Sequence, residues 1–146
     1  MSATSSDSPL NIDRLNAFMD QQDMAAVVAR PGKNFTYLAG FAYPGTLARL
    51  LDLSDAERGV MVAWPREGEP CLLVNLTAAG LAERDSRVRQ QVHYEGYVES
   101  PHATLTEVLK DMGLARVRVG FERDFISAQH CDTVQDALLI AGALAA

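Results

Sequence analysis

Gly59-Val60-Met61-Val62-Ala63-Trp64-Pro65-Arg66-Glu67-Gly68-Glu69-Pro70-Cys71-Leu72-Leu73-Val74-Asn75 holds two short apolar runs on either side of Pro65-Arg66-Glu67-Gly68. A short polar connection containing proline and glycine between two such runs has the length and composition of a hairpin loop. Residues 59–64 and 69–75 are therefore expected to pair antiparallel. Upstream, Met24-Ala25-Ala26-Val27-Val28-Ala29 is apolar on both parities and closes at Arg30-Pro31-Gly32. That pattern suits a central strand covered on both faces.

Helical signals surround these strands. Ser8-Pro9 reads as an N-cap followed by proline at the first helical position, and Ile12, Leu15, Phe18 and Met19 continue at helical spacing to about Gln22. Asn34 is expected to cap a short helical turn through Phe35, Tyr37 and Leu38, with Tyr37 in the core and Gly40 ending the turn in a left-handed conformation. Residues 41–57 show no period. Residues 77–84 read as a helix weakened by Gly80, and residues 88–94 alternate as a strand. Ser100-Pro101 repeats the capping signal, Leu105, Val108, Leu109 and Met112 form one apolar face, and Gly113 supplies the stop. Val117, Val119 and Phe121 alternate as a last strand. Ser127 then caps a helix carrying Cys131, Val134, Leu138 and Ala141.

The order αβ(α)ββαβαβα implies an α/β fold, a mixed sheet with helices on its faces, in a single domain. Residues 1–9 are expected to form a disordered polar tail and residues 10–146 the domain. The apolar stretch at residues 137–146 implies either a buried helix or a further domain that covers it.

The 146 residues carry 13 Lys and Arg against 19 Asp and Glu, a net charge of −6, with mean hydropathy −0.03 and pI near 4.9. An acidic chain of this kind lacks the broad basic footprint of a nucleic-acid or anionic-membrane binder, which leaves small metabolites and other proteins as partners. The longest apolar runs fall far short of the roughly 20 residues that cross a bilayer. Two distant cysteines and no signal-peptide pattern make the cytoplasm the expected compartment.

Motifs for chemistry are sparse. His93, His102 and His130 form no zinc-type pair, and Asp52-Leu53-Ser54-Asp55 lacks the glycine and distal glutamate of a calcium loop. Cys71 falls in an expected strand and Cys131 on an apolar helix face, where thiols are ordinarily buried and inert. No Gly-x-Ser-x-Gly elbow, Gly-x-Gly-x-x-Gly turn or P-loop is present. Glu122 directly follows the last strand, at the kind of carboxyl end where α/β sites gather, but its expected role is structural, capping the next helix or pairing with an arginine. No catalytic residue and no metal ligand is assigned in this chain.

Taken as a block, Arg14-Leu15-x-x-Phe18-Met19, Asp23-Met24-Ala25-Ala26-Val27-Val28-Ala29 and Asn34-Phe35-Thr36-Tyr37-Leu38-Ala39-Gly40-Phe41 resemble the amino-terminal domain of the creatinase and X-Pro peptidase family, which includes prolidase and aminopeptidase P. The hairpin, and Val119-Gly120-Phe121-Glu122 followed by Ile126-Ser127, resemble the family's central hairpin and its last strand and helix. The resemblance runs from about Leu10 to the end. It implies a ribonuclease-H-like sheet in a non-catalytic domain. It further implies a carboxy-terminal "pita-bread" domain, absent from this chain, that does the catalysis, usually with two divalent metals such as Mn, Co or Zn.

On that resemblance the parent is an X-Pro dipeptidase or aminopeptidase-like metallohydrolase acting on small peptides, with this domain giving homodimer surface and substrate-end recognition. Tyr43 and Arg49, after Phe41, are the expected substrate contacts, whereas Asn34, Tyr37, Gly40 and Phe41 are structural. A creatinase-like amidinohydrolase or lyase acting on a small metabolite, or a free-standing binding or oligomerisation module, are the alternatives.

Overall fold

The structure, a computed structural model, describes residues 10–42, 60–96 and 98–121, together with residues 132 and 134. Five strands form one mixed sheet. They are β1 (Ala26–Ala29), β2 (Met61–Pro65), β3 (Cys71–Asn75), β4 (Gln90–Tyr94) and β5 (Val119–Phe121), in the spatial order β4-β3-β2-β1-β5. The expected hairpin forms, with Met61 opposite Leu73 and Ala63 opposite Cys71. β1 lies antiparallel to the other side of β2 and parallel to β5, and β3 is parallel to β4.

Helices flank both faces: α1 (Ile12–Gln21), α2 (Lys33–Ala39), α3 (Ala79–Asp85) and α4 (Pro101–Asp111). Because successive residues of a strand point to opposite faces, β2 feeds two cores. Val62 and Trp64 pack with Met19 of α1, Phe35 and Leu38 of α2 and Ala82 of α3. Met61 and Ala63 lie on the other face, in the core that holds Leu105 and Leu109 of α4. Val134, helical and fully buried, joins this second core; Asp132 is helical and exposed, and the other residues of the last expected helix lie outside the described residues. The mixed sheet with helices on both faces is the architecture that the order of elements implied.

The helix ends differ in part from expectation. Ser8-Pro9 lies outside the described residues, and the N-cap of α1 is Asn11, whose side chain accepts a hydrogen bond from the Arg14 amide at 2.9 Å. Asparagine does this as well as serine, so a second capping residue three positions downstream takes the role. The helix closes with the Met24 amide donating to the Met19 carbonyl at 2.8 Å while Asp23 adopts φ 53°. α4 starts as its sequence implied, with Ser100 accepting from the Ala103 amide and Pro101 in the first turn. Its end has the same hydrogen-bonding form as that of α1, with Gly113 at φ 75° and the Leu114 amide donating to the Leu109 carbonyl. In both cases otherwise orphaned carbonyls of the last turn are satisfied.

Two contacts pin the helical layer to itself and to the sheet. The Ala39 carbonyl at the end of α2 accepts from Ser86 Oγ at 3.0 Å and from the Arg87 amide at 2.9 Å, which fixes the end of α2 against the end of α3. Arg66, in the β2–β3 turn, forks onto Asp20 of α1, with Nε to Oδ1 at 2.8 Å and Nη2 to Oδ2 at 3.1 Å. Hydrogen bonding to Arg66 holds the Asp20 carboxyl below its ordinary range.

Gly40 ends α2 at φ 84°, and a Cβ there would stand 2.7 Å from Arg87 Nε. Gly40→Ala is therefore expected to destabilise the fold by about 1–2 kcal/mol through left-handed strain, besides displacing the arginine. Urea unfolding checks this, and an unchanged midpoint would show that the position tolerates a side chain. The Asp20 pair has a pH signature. Since the folded carboxyl titrates below the unfolded one, its contribution is present above the unfolded value of roughly 3.9 and is lost as pH falls through the folded value. In Arg66→Met, the Asp20 carboxyl followed by NMR should titrate closer to the ordinary range; the same titration in both proteins would remove the ion pair from the account.

Candidate functional site

β1, β3, β4 and β5 all run the same way, because β2 alone is antiparallel to its neighbours. Their carboxyl ends therefore share one edge of the sheet, which is also where the chain enters β2. Edges of this kind carry the sites of many α/β proteins. Here the edge gathers buried polar groups. Asn75 ends β3 with 1% of its surface exposed and is aligned with Tyr94, which ends β4 equally buried. His102, in the first turn of α4, is buried as well.

Local hydrogen bonds form around this end of the sheet. Thr77 Oγ1 donates to Asn75 Oδ1 as the chain leaves β3. Thr106 Oγ1 donates to the His102 carbonyl at 2.9 Å. The turn after β4 is closed by the Glu95 amide donating to the Glu99 carboxylate at 2.6 Å. Outside this polar layer stand two exposed apolar side chains, Leu76 after β3 and Val98 after β4. Buried hydrogen-bonding groups fix the geometry of a sheet edge.

The opposite edge has a pocket of about 240 Å³ between the β2–β3 turn and the end of α4, with Glu67, Glu69 and Asp111 among its lining residues and Cys71 beside Val92 and Met112. Burial raises the Cys71 thiol above its ordinary value, so at neutral pH it stays protonated and is a poor nucleophile. Among the described residues, no three His, Cys, Asp or Glu side chains come together as a metal site, and no helix is long and apolar enough to cross a membrane.

The residues singled out in the sequence fall in different places. Tyr43, Arg49 and Glu122 lie outside the described residues. Asn34 is not a cap: it is the second residue of α2, exposed, and the N-cap position is taken by Gly32 without a side-chain hydrogen bond. Tyr37 is not a core aromatic. At 38% exposure it faces outward, and its hydroxyl accepts the Asn11 amide proton at 2.6 Å, tying α2 to the start of α1. The core aromatics of this segment are Phe35 and Phe41, packed edge to face with ring centroids 5.5 Å apart. Asn75, Tyr94 and His102 were not singled out as a group, because only the strand register and the docking of α4 bring them to the same edge.

The chain matches the creatinase/prolidase N-terminal domain family over residues 11–144. It belongs to that family. Its fold is similar to the N-terminal domain of the Xaa-Pro dipeptidase from Lactobacillus brevis, at TM-score 0.68 and 13% identity over 86% of each chain. It is also similar to a proline dipeptidase structure from Streptococcus pneumoniae TIGR4, at TM-score 0.66 and 17% identity over 88% of this chain and 85% of that one. Against the dipeptidase from Pyrococcus horikoshii OT3, at TM-score 0.64 and 18% identity, 86% of this chain is covered but only 31% of that one. The chain thus spans about a third of that relative. No curated protein matches it.

The division of labour among the aromatics of this family member is testable. Phe35→Ala is expected to cost about 3–5 kcal/mol as a fully buried aromatic, whereas Tyr37→Ala should cost about 1–2 kcal/mol, the loss of one hydrogen bond and some half-exposed surface. Equal losses in denaturant titrations would return Tyr37 to the core.

Proposed function

We propose that this chain is the non-catalytic amino-terminal domain of an X-Pro dipeptidase or aminopeptidase-like metallohydrolase. Catalysis, with a pair of divalent metals such as manganese, cobalt or zinc, belongs to a carboxy-terminal domain outside this chain. The observation that carries the reading is the paired coverage: family membership over residues 11–144, with a match to nearly all of an isolated N-terminal domain and to 31% of a longer dipeptidase. The working protein is a cytoplasmic homodimer acting on small peptides, in which this domain supplies dimer surface and holds the substrate end remote from the metals.

Two measurements test the placement. Incubated with manganese or cobalt and an X-Pro dipeptide, the isolated chain should release no proline; clear turnover would overturn the assignment of catalysis to another domain. An antibody against this chain should detect a native protein well above 15.9 kDa in the source cells. A band at that mass would mean a free-standing domain and would remove the proposed role in a larger enzyme.

Substrate-end recognition is assigned to the stretch after Phe41, namely to Tyr43 and Arg49. Connections mounted on a rigid sheet commonly carry recognition groups, and a guanidinium matches a carboxylate with two parallel hydrogen bonds. Arg49 is the proposed carboxylate contact, with Tyr43, six residues earlier, as an aromatic contact. In the complete enzyme, Arg49→Ala should lower kcat/KM for X-Pro dipeptides by about tenfold to a hundredfold, as expected for a lost hydrogen bond to a charged group. An unchanged kcat/KM across substrates would end Arg49's assignment.

A further inference from the structure

We draw no further inference here: the strongest candidate, the pocket of about 240 Å³ between the β2–β3 turn and the end of α4, rests on an acidic rim and a lone buried cysteine, with no second observation that points to a ligand.

Discussion

Every strand of this sheet takes its direction, directly or through a neighbour, from β2, which hydrogen-bonds antiparallel to β1 on one side and to β3 on the other. All five of its residues are buried, so polarity cannot fix its register. Size does. Trp64 and Val62 enter the core beneath α1, α2 and α3, whereas Ala63 and Met61 enter the core that contains Leu105 and Leu109 of α4. A slip of one residue would drive the indole towards α4 and leave alanine in the larger core, combining overpacking on one face with a cavity on the other. With β2 in place, β1 and β3 point the same way, and β5 and β4 extend the sheet in parallel on either side.

Much of this was legible because the deciding signals are local. A four-residue turn between apolar runs, serine followed by proline before an amphipathic stretch, and glycine after a helical face each act through the backbone of a few neighbours. The misreadings arose where two local solutions were chemically equivalent, or where a face had to be chosen. Asn11 and Ser8 are both competent caps, and the choice depends on where α1 meets the rest of the molecule. For α2, helical spacing alone separates Phe35 and Leu38, which share a face, from Tyr37, which lies about 200° around from Phe35 at 100° per residue. That arithmetic was available in the sequence, yet an aromatic lying between Phe35 and Leu38 reads as core until its angle is counted. The exposed ring then has a use, since its hydroxyl reaches the backbone of Asn11.

The buried polar edge was less legible for a different reason. Asn75 follows four apolar strand residues, Tyr94 ends an alternating stretch, and His102 follows a capping serine and proline; none forms a motif with the others in sequence. Their placement at one end of the sheet is a product of register and element order. Pairing β3 with β4 sets Asn75 beside Tyr94, and the connection from β4 into α4 returns His102 to the same end of the sheet. Long-range pairing of this kind leaves no periodic trace, whereas the burial of three hydrogen-bonding side chains becomes plain once the strands are in order.

The two ends of the sheet are held by different contacts. At one, β2 passes to β3 through a short turn whose Arg66 is clamped to Asp20 of α1, so the turn and the first helix are held as a unit. At the other, the same antiparallel course of β2 obliges the chain to re-enter the sheet beside the carboxyl ends of β1 and β3. Among the described residues, the chain re-enters at Val60 just before β2, and β5 ends at Phe121 with its carboxyl end on that same side. A long connection costs little more in closure entropy than a short one. For a domain proposed to recognise rather than transform a substrate, sequence variation in the stretch after Phe41 is then compatible with an unchanged sheet.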